Sequence, residues 1–230
     1  MTLAEEQLVL DVKTGTACMT RDSFFEAPCN SRALSEVLTP DFWTGEPRVL
    51  TGPEGVGKTH LAHVFAERTG ALFLTAHRLA ADSVPRAAEM PALVLEDGHR
   101  LAGVRLRELI AFHLFNQARD LGRPLLVTGR GPVRDWGLSL PDLSSRLIAA
   151  AQIRVTNPDE ATLGMVLVKL FADRQLAVPP ETVEYAVYRM ERSFAAAARL
   201  VEALDRTSLR QSRRIDRAMI REILNQQEEG

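Results

Sequence analysis

Residues 52 to 59 read Gly52-Pro53-Glu54-Gly55-Val56-Gly57-Lys58-Thr59, a Gly-x-x-x-x-Gly-Lys-Ser/Thr run with His60 directly behind it. Glycines at these places let consecutive backbone N–H groups turn inward on a phosphate. Lys58 carries a cation to the terminal phosphates, and the Thr59 hydroxyl is placed to ligate Mg²⁺. The plainer reading is a Gly-rich turn with a solvated lysine, and the context argues against it. Val49-Leu50 lies upstream, and Leu61, Ala62, Val64 and Phe65 recur at helical spacing downstream. Strand, loop, helix is the setting the motif requires. Residues 52–60 are thus expected to bind a nucleoside triphosphate. His60, like His63, suits packing on the following helix as well as it suits a ligand.

A second set of groups would complete that chemistry. The apolar run Ala92-Leu93-Val94-Leu95 ends in Glu96-Asp97, and open α/β sheets place ligands at the carboxyl ends of their strands. One carboxylate would hold the Mg²⁺ shell, and Glu96 is assigned there with Thr59. The neighbour, Asp97, would orient or deprotonate an attacking water. The usual order is Asp before Glu, so the two roles are not fixed by the letters. Thr128 closes the next apolar run, Leu125-Leu126-Val127, and is placed for the γ-phosphate or the lytic water, or as an ordinary strand-end hydroxyl. Arg146, in Leu143-Ser144-Ser145-Arg146-Leu147, has the guanidinium of an arginine finger for a neighbouring subunit's γ-phosphate. A surface ion pair is the alternative.

The elements that must carry these groups follow from periodicity. Val49-Leu50, Ala71 to Thr75, Ala92 to Leu95, Leu125 to Thr128 and Ile153 to Val155 suit buried parallel strands. Helical patterns at about 58–69 and 104–121 end at Gly70 and Gly122. The expected fold class is α/β, a parallel sheet flanked by helices with a phosphate loop, followed by a small all-α lid domain. Residues 1–20 are expected to be a flexible tail, 21–156 the nucleotide-binding domain and 157–230 the helical lid. In the lid, Asn157 with Pro158, Pro180, Ser193 and Asp216 are expected to open four helices. Within the tail, Gln7-Leu8-Val9-Leu10 is the kind of extended segment that lies in another protein's apolar groove.

Composition sets limits on function. The chain has 230 residues, 46% hydrophobic and 25% charged, with a formal net charge of −2, so it lacks the basic balance of a general nucleic-acid binder. Cys18 and Cys29 have no metal-ligand spacing and suit a reducing cytoplasm. No signal segment opens the chain, and no apolar run approaches the roughly 18 to 20 residues that span a bilayer. A cytoplasmic protein without membrane partners is expected.

The run from Gly52 to Phe65 resembles the AAA+ ATPases of the DnaA replication-initiator clade. Phe24-Phe25 with Cys29-Asn30 is similar to the clade's element near the adenine, which makes Asn30 a nucleotide-binding candidate. Leu143 to Leu147 is similar to its arginine-finger box. The likeness spans about residues 20 to 225 and is strongest to the short, Hda-type members. Leu170 to Leu176 and Met190 to Ser193 resemble their lid, and Gln7, Leu8 and Leu10 resemble the peptide that docks on the sliding clamp, the DNA polymerase III beta subunit. The chain leaves no room after the lid for a helix-turn-helix reader, so sequence-specific DNA binding is not expected.

The resemblance implies an ADP- or ATP-bound regulator, with Mg²⁺, that docks on the clamp and presents Arg146 to ATP held by the DnaA initiator. Homo-oligomers are compatible with it. Where the clade carries a lid arginine, this chain has Ala198, with Arg199 one place along and about 100° round the helix. That departure bears on the chain's own ATP turnover and leaves nucleotide binding untouched. A self-assembling ATPase or helicase-loader-like remodeller is the alternative reading.

Overall fold

A computed structural model describes residues 19–39, 43 and 45–228. The segment bearing Gln7, Leu8 and Leu10 lies outside the described residues.

Five short strands form one parallel sheet: β1 (Arg48–Thr51), β2 (Leu72–Thr75), β3 (Leu93–Glu96), β4 (Leu125–Gly129) and β5 (Ala151–Arg154), in the order β2-β3-β4-β1-β5. Alternation along the central strands feeds two cores. Val49, Leu93, Leu95, Leu125 and Val127 point into one. Leu50, Val94, Leu126 and Ile153 point into the other. Both faces of the central strands are therefore covered, which is why β1, β3 and β4 read as apolar runs rather than alternating ones, whereas the edge strand β5 buries only Ile153.

The first core is closed by α3 (Ser83–Ala88), α4 (Arg105–Asp120) and α5 (Pro141–Ala149). The second is closed by α1 (Ser31–Leu38) and α2 (Lys58–Thr69), with Trp43 stacked on Phe65 at 4.9 Å between centroids. The expected helix 58–69 is α2, ended by Gly70 in the left-handed region at φ 67°. The expected helix 104–121 is α4.

After β5 the chain is helical: α6 (Glu160–Asp173), α7 (Pro180–Arg189), α8 (Phe194–Gln211) and α9 (Arg217–Glu228) pack a third core around Leu163, Leu167, Ala197, Leu200 and Met219. Pro180 opens α7 as expected. The Ser193 hydroxyl accepts from Ala196 N at 3.1 Å, and Asp216 accepts from Met219 N at 2.8 Å, so both cap as the sequence predicts. One start differs. The first lid helix is capped by Asp159, not Asn157, because the Asp159 carboxylate is the group that reaches Thr162 N, at 2.8 Å.

Phe24 and Phe25 are adjacent yet serve different bodies. Phe24 lies in the core over α2, and Phe25 packs against the lid core. They join the sheet domain to the lid.

Candidate functional site

The candidate site forms where β1, β3 and β4 end side by side. The loop from Gly52 to Gly57 leaves β1 and turns into α2 at Gly57, whose φ of 95° is a conformation that a side chain resists. Lys58 follows as the first helical residue and is 8% exposed. Its ammonium donates to Gly52 O at 3.0 Å and to Pro53 O. Burial lowers its pKa, the Arg130 guanidinium lowers it further, and Asp97, Glu54 and Glu96 oppose that shift. The acidic end of β3 and the loop lie at the same edge of the sheet.

Glu96 is the last residue of β3, and Asp97 sits just beyond it in the left-handed region at φ 57°. The turn is held from β4, where the buried Thr128 hydroxyl accepts from Asp97 N at 3.1 Å. Thr128 therefore shapes the acidic turn directly. The Asp97 carboxylate lies 4.0 Å from His99 Nδ1 and 3.9 Å from Arg100. Burial keeps the His99 imidazole below its ordinary pKa. Among the described residues no three His, Cys, Asp or Glu side chains gather as a metal cage. Thr59 is exposed at the start of α2, and Glu96 ends the neighbouring β3 half-buried.

Two candidates are engaged in local structure. His60 Nε2 lies 2.8 Å from Thr20 O and 3.3 Å from Ser23 Oγ, and its ring meets Phe24 edge-on at 5.0 Å. It fastens the incoming chain to α2. Asn30 is buried, accepts from Ala27 N at 2.8 Å and donates to Phe25 O at 2.9 Å. Both ends of its amide hold the turn that carries Phe24 and Phe25.

Arg146 stands apart from the loop. Its Nη1 donates to Asn116 Oδ1 at 2.5 Å, and its guanidinium carbon lies 5.0 Å from the Phe112 centroid and 5.9 Å from that of Phe115. Ile148, two residues on and about 200° round the helix, lines a cavity of about 450 Å³ with Thr51, Gly52, Pro53, Arg134 and Arg154. One face of α5 looks to the root of the loop and the Arg146 face looks to α4.

The sequence reading passed over three features here. Glu108 is fully buried on α4 and accepts from Ser139 N at 3.1 Å, Ser139 Oγ at 2.9 Å and Leu140 N at 2.7 Å, which pins the start of α5. With Phe112 and Asn116 it makes an i, i+4, i+8 stripe that holds the Arg146 helix. The signal was Leu140 at the N-cap, a residue with no capping oxygen of its own. Arg130, just after β4, pairs with Glu54 of the loop at 2.6 Å. The lid touches the loop directly, since Ala195 N donates to Gly55 O at 3.1 Å. Arg199 pairs with Glu191 at 3.4 Å, and both it and Ala198 are exposed. Neither is the lid residue bonded to the loop.

Residues 161–224 match the family model described as the lid domain of Hda. Domain III of the Thermotoga maritima replication initiation protein DnaA has the same fold, with a TM-score of 0.78 and 18% identity, covering 89% of this chain and 94% of that one. AMPPCP-bound DnaA from Aquifex aeolicus aligns with a TM-score of 0.69 and 18% identity over 84% of this chain and 65% of that one. The Thermotoga maritima RuvB Holliday junction branch migration motor aligns with a TM-score of 0.69 and 19% identity over 90% and 71%. At these identities the structures speak for the fold, and the lid match speaks for lineage within it. The parallel sheet with its phosphate loop and the helical lid that meets that loop thus form the fold seen in DnaA domain III, and residues 161–224 within it match the Hda lid.

Proposed function

We propose that this chain is a nucleotide-switched regulator of replication initiation. In this reading, residues 52–60 bind ADP or ATP with Mg²⁺ held through Thr59 and Glu96. The Gln7, Leu8 and Leu10 segment docks on the sliding clamp, and Arg146 acts in trans on ATP bound to the DnaA initiator. Hydrolysis of that ATP would leave the initiator inactive. Nucleotide binding is supported by the loop geometry and by the fold shared with a DnaA that binds AMPPCP.

One observation carries the trans reading. Arg146 is held by Asn116 and Phe112 of α4, on the helix face opposite the one that meets the loop root. A guanidinium mounted there serves a nucleotide in a neighbouring molecule better than its own. Such a finger stabilises charge in the phosphoryl-transfer transition state, with effects of about 10³–10⁵-fold.

The test mixes this protein, DNA-loaded clamp and ATP-bound DnaA, and follows phosphate release. Wild type is expected to stimulate release. Arg146→Ala should abolish stimulation while keeping nucleotide affinity and clamp retention. Changing Leu8 and Leu10 to Ala should remove clamp retention and stimulation together, since each leucine forfeits burial of about 1.5–3 kcal/mol. Undiminished stimulation by Arg146→Ala would place the finger elsewhere.

A second reading, a self-assembling ATPase or loader-like remodeller, draws on the convergence of Lys58, Glu96 and Asp97 at one site. Substantial steady-state turnover by the isolated protein, lost in Arg146→Ala with no effect on DnaA, would favour it.

A further inference from the structure

The cavity beside the loop root has no task in nucleotide binding. It measures about 450 Å³, and its wall is mostly apolar, with Pro53, Val133 and Ile148 on it and Arg134 and Arg154 at its rim. Ligand pockets span roughly 300–1,000 Å³. The sheet explains why this one stands open. β5 is an edge strand paired with β1. Ile153 turns into the core over α2, whereas Gln152 and Arg154, on the opposite face of the strand, are exposed.

Charge at the rim is uneven. Glu54 pairs with Arg130 at 2.6 Å and Asp135 with Arg134 at 3.7 Å, whereas Arg154 has no ion pair among the described residues. A surplus guanidinium above an apolar floor selects an occupant that is acidic and apolar at once. One segment of this chain has that chemistry. Glu5-Glu6-Gln7-Leu8-Val9-Leu10-Asp11 sets three carboxylates around three aliphatic side chains, and laid out as a strand it would turn Leu8 and Leu10 to one face. Its tether is long enough. Leu10 precedes Met19, the first described residue, by nine positions, which allows about 30 Å of extended chain. Thr20 is fastened at His60, just behind the loop whose root, Gly52 and Pro53, lines the cavity.

We propose that this cavity seats the chain's own residues 5–11, with the leucines against Ile148 and Val133 and an acidic side chain on Arg154. A short tether holds a segment at an effective concentration of the order of millimolar, so a seat of modest intrinsic affinity is filled. The consequence is autoinhibitory. Leu8 and Leu10 are the side chains that the clamp contact proposed above also needs, so clamp and cavity compete for one segment. The competition rests on that clamp reading, and the seat does not.

Hydrogen exchange of the full chain without clamp tests the seat. Amides of residues 6–11 should exchange about three- to tenfold more slowly in wild type than in Ile148→Gln, which removes the apolar floor, or Arg154→Glu, which reverses the rim charge. Both positions are exposed, so the fold should hold, and the melting temperature checks it. Exchange at the free-peptide rate in wild type, or equal protection in all three proteins, overturns the seat. Protection that grows with protein concentration moves the segment to a second copy and overturns the intramolecular seat. Clamp binding is measured alongside, and both variants should bind about three- to tenfold more tightly than wild type, the factor by which the free fraction of the segment rises. Unchanged clamp affinity with protection lost overturns the competition. Absence of clamp binding in all three proteins overturns the clamp reading, and protection in wild type alone would still support the seat.

Discussion

Three donors, two from Ser139 and one from Leu140, end on the carboxylate of Glu108 at the point where α5 begins. Removing that carboxylate strands buried backbone N–H groups and releases the N-terminus of the helix that carries Arg146. Glu108→Ala is expected to cost about 2–5 kcal/mol in urea unfolding. It should also weaken stimulation of DnaA-bound hydrolysis although Glu108 touches no nucleotide; a loss below about 1 kcal/mol would deny it this role. Glu108 shows how far the site was legible. Gly57, Lys58 and Thr59 could be read because their chemistry depends on neighbours a few residues away. Glu108 and Arg130 act on partners distant in the chain, and sheet register and helix packing, not spacing, bring them together.

At the scale of elements, local chemistry set the lid helices well where one side chain had one reachable amide. Ser193 and Asp216 were legible for that reason, and Asn157 misled because Asp159, two residues on, competes for the same turn and reaches Thr162 N. The helix α1 went unread because eight residues bury three apolar side chains, Ala33, Leu34 and Val37, too few for a periodic signal.

The caps Asp159 and Asp216 give a pH prediction. The Thr162 hydrogen bonds hold the Asp159 carboxyl below its ordinary value, and the Arg213 side chain followed by Met219 N does the same for Asp216. A folded pKa below the unfolded one adds stability that is fully present above the unfolded value of 3.8 and fades as pH falls through the lowered one. Thermal unfolding of wild type should therefore lose more stability between about pH 5 and pH 2 than the double variant Asp159→Asn, Asp216→Asn. Parallel curves would show that these carboxylates carry no charge-linked stability.

At the scale of the whole molecule, the sheet domain and lid meet, among the described residues, at Phe25 in the lid core and at Ala195 on the loop at Gly55. Phe25→Ala should loosen this junction by about 1–3 kcal/mol of lost burial. Amide exchange should quicken in the first turn of α8 while the strands stay protected, and uniform quickening would mean that Phe25 supports the fold at large. The Gly55 contact has a different character. A Cβ at Gly55 would stand 2.8 Å from Ser193 Oγ and 3.0 Å from the Ala195 Cβ, so the loop and lid backbones approach with no room for side chains between them. The contact there is written in peptide groups, N–H to carbonyl. Side-chain truncation scans are blind to it, since Ala195 has almost nothing to truncate and its amide survives nearly every replacement. Proline is the exception that deletes the donor, and evolution could rewrite the lid surface freely while this wire stayed connected.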